Sequence, residues 1–291
     1  MENNTVLEIN NLRKKYGEKE VLKDVSINIS KNQIYGLLGE NGSGKTTLLK
    51  ILANLTGSNG GKILFYNKHC RVGLVLDENG IYSQYSVWFN MEFFARLHGI
   101  YKKEYVKEFI SLVNLDKYEK TLVNKLSKGL KRRLVLARAL MIKPNLLLLD
   151  EPFDGLDIQS KNIIIECLQD WVKEDDNSAI FVSHNVDEII ELCGTVGIMK
   201  DGEIKFQGNS SDIERMKFKH LEIITHNVDA IVDILVNQKL KFEIEKDKIV
   251  ITSDEEEANQ IIESIQQKQI SVSEIYKKFM SLKEIYLKIY E

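Results

Sequence analysis

Eight residues, Gly39-Glu40-Asn41-Gly42-Ser43-Gly44-Lys45-Thr46, fit the pattern G-x-x-x-x-G-K-[ST]. That spacing suits phosphate binding. Glycines let successive backbone N–H groups converge on phosphate oxygens, and a helix opening behind them adds positive potential. Lys45 is placed to reach the β- and γ-phosphates of a nucleoside triphosphate, and Thr46 to ligate magnesium. A second pair of candidates, Asp150 and Glu151, closes the apolar run Leu146-Leu147-Leu148-Leu149. A strand that apolar is covered on both faces, and open α/β sheets bind ligands at the carboxyl ends of their strands. Asp150 is thus a candidate for the magnesium shell, and Glu151 for polarising an attacking water. Acids at a strand end are also ordinary turn chemistry; the phosphate motif favours the catalytic alternative.

These residues need a frame to hold them. Short runs rich in branched apolar residues predict strands over 6–9, 25–29 and 33–38, punctuated by Tyr16-Gly17 and Lys31-Asn32. The Gly-rich turn then leads into a helix over about 45–55, followed by strands over 62–66 and 71–76. Between about 87 and 142 the period changes. Phe93, Phe94 and Leu97, then Val106, Phe109, Ile110 and Val113, then Leu134, Leu136 and Leu140 recur at helical spacing, which predicts a helical insert. Strand and helix alternate again over 146–150, 158–172, 179–183, 185–193 and 196–199, the pattern of a parallel, helix-covered sheet. The tail predicts strand 220–225, helix 228–237, a hairpin 240–245/248–252, helix 255–267 and strand 270–277. That order is a split βαβ arrangement. A closing helix is expected from Ser281, with Glu284 completing a capping box. The expected division is one domain over 1–215 and a small α+β domain over 216–291.

Bulk composition sets outer limits. The chain has 291 residues, 43% hydrophobic and 29% charged, with a formal net charge of -3. This is ordinary globular usage. It lacks the basic bias that marks a nucleic-acid partner, so none is expected. Cys70, Cys167 and Cys193 are widely spaced and odd in number, which argues against a disulfide frame or a zinc site. No basic stretch followed by an apolar run opens the sequence, so no secretory leader is expected. No apolar run approaches the roughly 20 residues a spanning helix needs, so a membrane role calls for a separate partner.

Further residues go beyond what a phosphate loop alone requires. Leu126-Ser127-Lys128-Gly129-Leu130-Lys131-Arg132-Arg133-Leu134 resembles the ABC signature, leading into Ala137-Arg138-Ala139-Leu140. Asp150-Glu151-Pro152 follows at the family's spacing. Gly155-Leu156-Asp157 is similar to the D-loop, Ser183-His184 to the switch histidine, and Tyr16 stands where the family places an adenine-stacking aromatic. On these motifs residues of roughly 5–210 resemble ABC ATPase domains, and the tail resembles the accessory domain of ABC-2-type exporter ATPases. The resemblance implies a P-loop NTPase core of ABC type, with an antiparallel β subdomain and a helical subdomain, followed by a ferredoxin-like domain. It implies ATP and Mg²⁺ as ligands, with nucleotide contacts from Tyr16, Gly39, Asn41, Gly42, Ser43, Gly44, Lys45, Thr46 and Thr47. Thr46, Asp150 and Asp77 would serve the metal, and Lys45, Glu151 and His184 the chemistry. Ser127, Gly129 and Asp157 would act across a head-to-tail pair of such domains, homodimeric by expectation. The implied role is ATP hydrolysis that powers export through a separate transmembrane permease, from the cytoplasmic face of the membrane. The alternatives are a soluble, non-transport ABC ATPase and a regulatory subunit that binds ATP without hydrolysing it.

The chain departs from the family pattern in places. Lys128 replaces a glycine of the signature, and Leu130 its glutamine. Asp77 stands where the family carries the Q-loop glutamine; a carboxylate can still serve Mg²⁺. Trp88, Phe89, Phe93 and Phe94 are expected in the core of the helical insert, the alternative being a groove for a partner. Lys131, Arg132 and Arg133 are expected as solvated charges.

Overall fold

The structure, a computed structural model, describes residues 4–67, 70–76, 80–174, 176–209 and 218–290. The chain forms two compact units, Met1–Asn209 and Ser210–Glu291. The expected boundary at 215/216 lies outside the described residues.

The first unit opens with β1 (Thr5–Tyr16) and β2 (Lys19–Ser30), joined by a tight turn in which Gly17 has φ +59°. With β4 (Gly60–Phe65) they make an antiparallel sheet in the order β2-β1-β4. Both strands are far longer than the runs 6–9 and 25–29. Register shifts flank Asn11, and Asp24 in β2 shares its left-handed conformation. Such breaks flip the inward face, so the period-2 pattern vanishes although pairing continues.

The second sheet contains β3 (Ile34–Leu38), β5 (Val72–Val75), β6 (Leu146–Asp150), β7 (Ser178–Ser183), β8 (Thr195–Lys200) and β9 (Glu203–Asn209). Its order is β5-β6-β7-β3-β8-β9, parallel except for the terminal β8-β9 hairpin. β9, unforeseen in the sequence, alternates Glu203, Lys205 and Gln207 with only partly buried neighbours, as an edge strand does. β3 and β7 are buried throughout, and β6 up to Asp150. On one face lie α1 (Lys45–Leu52) and the first sheet, forming one core with Leu37, Leu148, Ile180 and Val182. The helices α5 (Ile158–Val172) and α6 (Val186–Leu192) complete the alternation.

Between β5 and β6 the chain inserts α2 (Val87–Leu97), α3 (Lys103–Leu112) and α4 (Lys128–Met141). α2 is capped by Ser86, whose hydroxyl accepts from Phe89 N at 3.1 Å. Its buried face is Val87, Asn90, Met91 and Ala95, and this corrects the core expected at Phe89 and Phe93. Those rings are 37% and 38% exposed. Several phases of one short helix were apolar enough to pass for the core side.

The second unit runs β10 (Phe218–Ile224), α7 (Val228–Asn237), β11 (Lys241–Glu245), β12 (Lys248–Thr252), α8 (Glu255–Gln267), β13 (Glu274–Phe279) and α9 (Leu282–Tyr290). Its sheet order, β11-β12-β10-β13, is antiparallel, the split βαβ topology. Alternate residues Leu221 and Ile223, Ile249 and Ile251 meet Ile231, Leu235 and Ile261 of the two helices in a separate core. Asp254 and Glu257 cap α8 reciprocally, and Ser281 and Glu284 do the same for α9. β13 starts four residues later than the expected 270.

Ile223→Ala should destabilise the second unit by about 2–5 kcal/mol, the usual cost of a buried cavity. Both tryptophans, Trp88 and Trp171, belong to the first unit. The expected outcome is a far-UV circular dichroism transition at lower urea, with the tryptophan-reported transition unmoved.

Candidate nucleotide-binding site

The parallel strands deliver the candidate residues to one edge. β3 leads into the glycine loop, β6 ends at Asp150, and β7 leads to His184. A cavity of about 390 Å³ opens there, lined by the loop (Asn41, Gly42, Gly44), Lys45, Thr46 and Thr47, by Asp150 and Glu151, and by Tyr16, Lys19 and Val21. Lys19 and Val21 were not foreseen, since nothing in β2 carries a motif. A larger groove of about 650 Å³ lies between β2 and β9, with Lys23, Asp24, Glu203 and Lys205 along it. It holds none of the motif residues.

The loop is tightly constrained. Gly42 has φ +86° and Gly44, which caps α1, has φ +112°. A Cβ on Gly44 would lie 2.8 Å from Leu22 Cδ2 and 2.9 Å from Val21 O. Lys45 is only 5% exposed. Its ammonium donates to Gly39 O at 2.6 Å and Glu40 O at 2.9 Å, and lies 3.9 Å from Glu151 Oε1. Burial holds its pKa below the ordinary lysine value, against the opposing pull of Glu151, Asp150 and Glu40. The Thr46 hydroxyl donates to Asp150 Oδ2 at 2.7 Å. A hydroxyl and a carboxylate in contact are the hard oxygen donors a magnesium ion takes together with phosphate oxygens, so these residues fit that ion.

Glu151 adopts φ +46°, a conformation costly for a residue with a side chain. Its N–H donates to Val182 O at 3.0 Å and its carbonyl accepts from Asp154 N at 3.2 Å, which fixes the turn. The carboxylate then meets His184: Oε2 lies 2.9 Å from Nδ1. Oε1 is buried with no hydrogen-bond partner among the described residues, and so is Ser43 Oγ. Two orphaned polar atoms beside a phosphate loop are what a site built for a polar ligand shows. Tyr16 stands half exposed at the cavity mouth, with the Lys14 ammonium 4.8 Å from its ring centre.

Ser127, Gly129 and Asp157 do not line this cavity. They gather elsewhere. Ser127 caps α4, accepting from Leu130 N at 3.3 Å. Asp157 caps α5, and bonds from the Ser160 backbone and hydroxyl keep its pKa low. Gly129 abuts Ser160 so closely that a Cβ would lie 2.3 Å from its Oγ. One turn of α4 therefore rides on the segment after Glu151. Lys128 pairs with Asp154 at 2.9 Å, and Arg132 donates to Glu151 O at 3.5 Å. Arg132 is 1% and Arg133 7% exposed, which corrects the expectation of solvated charges. Arg133 donates to Val113 O and Asn114 O at the end of α3. Guanidinium groups with backbone carbonyls to bond are tolerated inside. Asp77 lies outside the described residues.

Gly44→Ala should cost roughly 1–3 kcal/mol of stability through a strained loop. It should also abolish nucleoside triphosphate binding, measured by calorimetry on protein shown to be folded by its thermal transition.

A family model described as ABC transporter matches residues 22–154. An uncharacterized ABC transporter ATP-binding protein of Bacillus subtilis, YcbN, is 31% identical over 98% of this chain and 96% of its own length. The bacitracin transport ATP-binding protein BcrA of Enterococcus faecalis is 31% identical over 75% of this chain and 73% of its own. The sulfate/thiosulfate import ATP-binding protein CysA of Yersinia pseudotuberculosis is 33% identical over 72% of this chain and 62% of its own. Among solved structures, cbiO1 of Clostridium perfringens superposes with a TM-score of 0.65 at 24% identity, over 81% of this chain and 97% of that one. A dimeric ATP-binding cassette in a post-hydrolysis state with ADP and Pi gives 0.62 at 23% identity, over 70% of this chain and 98% of that one. At such identities these two establish the fold. With the YcbN match spanning nearly the whole length, the chain belongs to the ABC transporter ATP-binding proteins and is an ABC ATPase subunit of a transporter.

Proposed function

We propose that this chain is the motor of an exporter. Two copies close over two ATP molecules, and hydrolysis drives a separate transmembrane subunit from the cytoplasmic face. The observation that carries the chemistry is the convergence of Lys45, Thr46, Asp150, Glu151 and His184 on one sheet edge. The N–H groups at the head of α1 and the Lys45 ammonium take the β- and γ-phosphates, exchanging loop carbonyls for phosphate oxygens. Thr46 and Asp150 would hold Mg²⁺, which when bound would supply positive charge to the phosphates. Glu151 orients the water and accepts its proton, with His184 fixing one carboxylate oxygen and leaving the other free. Tyr16 offers a face to adenine. Ser127, Gly129 and Asp157 serve the nucleotide of the second copy, which accounts for their standing apart from the cavity.

Export rather than import is supported by how far the similarity extends. BcrA of Bacillus licheniformis, named for bacitracin transport, is 30% identical over 84% of both chains. CysA matches only 72% of this chain. No helix among the described residues is long and apolar enough to cross a membrane, and in this reading a partner supplies the translocation path. The face offered to it is an exposed aromatic ladder. Tyr85 and Phe89 stack at 4.1 Å, Phe89 and Phe93 at 6.0 Å, and Tyr82 meets Phe93 edge-on at 5.1 Å. Contiguous exposed aromatics favour interfaces. The 216–291 region is proposed as an accessory domain of the same exporter.

Glu151→Gln should lower kcat by about 10²–10⁴-fold, as loss of a general base does. ATP binding should persist, with an ATP-dependent dimer by light scattering that Lys45→Ala abolishes. A strict monomer that still binds ATP would contradict the self-pairing mechanism. Phe89→Glu should leave basal ATPase unchanged and release the subunit from membranes that carry its permease.

A further inference from the structure

A second groove lies at the opposite edge of the parallel sheet. Arg71, Asn145 and Asn177 immediately precede β5, β6 and β7. Asp150 ends β6, so the groove and the nucleotide cavity are separated by the length of that strand, about 17 Å. Two cavities, of about 380 Å³ and 260 Å³, adjoin there and share Arg71 and Lys143. Both run along one face of α3: Tyr105 lines the smaller, and Glu108, Phe109 and Leu112 the larger. The Tyr105 and Phe109 rings meet edge-on at 5.0 Å, and the Tyr105 hydroxyl donates to Met141 O at 2.7 Å. The wall is thus held by α4 and is not a loose surface side chain.

The groove is chemically polarised. Its larger cavity has an apolar floor of Phe109, Leu140, Pro144 and Cys167, with Trp171 from α5 on the far side. The smaller collects three cations, Arg71, Lys102 and Lys143. None of the three makes an ion pair among the described residues, although surface cations elsewhere in the chain commonly do. Glu108, Asp170 and Glu174 rim the apolar cavity, so a second negative charge on a ligand's body would be repelled. A slot of several hundred Å³ with an apolar floor and convergent charged groups at its ends has the size and the anchoring groups of a small-molecule site. The lining of the smaller cavity contains no acid, so its three cations set the sign of the ligand's head group.

We propose that this groove binds a singly charged anionic amphiphile, its carboxylate or phosphate head among Arg71, Lys102 and Lys143 and its apolar body on Phe109, Leu140, Cys167 and Trp171. The proposal rests on none of the preceding mechanism, since no residue of the groove touches the nucleotide cavity.

Trp171 provides the readout. In full-length Trp88→Phe protein it is the sole tryptophan, and titration with decanoate should move its emission saturably. Lys143→Glu and Arg71→Glu are exposed changes outside the core. Each should raise the half-saturating concentration at least tenfold while leaving Mg-ATP binding intact. Cys167→Phe should fill the slot and abolish the response. If that variant fails to fold by circular dichroism, the two surface variants still decide. Vesicles containing phosphatidylglycerol, compared with phosphatidylcholine alone, separate the two sources of the head group. A response to decanoate assigns a free amphiphile, and one confined to the anionic vesicles assigns a membrane lipid. The proposal is overturned if neither probe gives a saturable change, if both surface variants bind as tightly as their parent, or if decylamine binds as well as decanoate.

Discussion

Lys45 carries a charge into a place that is almost closed to water, and the arrangement around it follows from keeping that charge satisfied. An isolated buried ammonium would shed its proton or open the structure. Here two loop carbonyls, Gly39 O and Glu40 O, accept from it, with Glu151, Asp150 and Glu40 supplying opposing charge. The carbonyls can turn inward only because the loop passes through glycine conformations at 42 and 44. The acids can approach only because β6 lies one strand away from β7, itself the neighbour of β3. The site is therefore electrostatically prepared for an anion before one arrives, and preorganisation of this kind is a major source of catalytic power.

The same edge shows how a single backbone distortion recruits several elements. Glu151 takes a left-handed conformation that swings its carboxylate to His184 rather than along β6. Val182 O holds its N–H from β7, and Asp154 N and Arg132 hold its carbonyl from the following turn and from α4. Two regions distant in sequence and the local turn thus converge on the backbone of one residue. α4 also carries Ser127 and Gly129, so the helix that presents the signature and the turn that presents the acid share a contact surface.

What the sequence disclosed was local chemistry. Gly39–Thr46 sits between a strand and a helix as its spacing demanded, and Asp150 and Glu151 stand at the end of a fully covered strand. These features depend on neighbours within a few residues. The exposure of Phe89 and Phe93 did not follow from periodicity, because Val87, Met91 and Ala95 offered an equally apolar face and packing chose between them. The burial of Arg132 and Arg133 was equally hidden, since their acceptors are carbonyls some twenty residues away in sequence. β1 and β2 were seen only in fragments, because bulges at Asn11 and Asp24 interrupt the alternation that marks a strand. The second unit was more transparent. Its strands are short, two of its three helices are capped by their own side chains, and its hairpin turns at Lys246, which takes a positive φ.

The close approach of Gly129 to Ser160 makes these two positions a single steric quantity divided between α4 and α5. Room for one methyl group at 129 exists only if the hydroxymethyl at 160 is given up. Shortening 160 would remove one of the donors that hold Asp157. A lineage drifting at either position is therefore confined to a narrow corridor of paired exchanges. An engineer seeking to vary the signature turn would have to redesign the start of α5 in the same step.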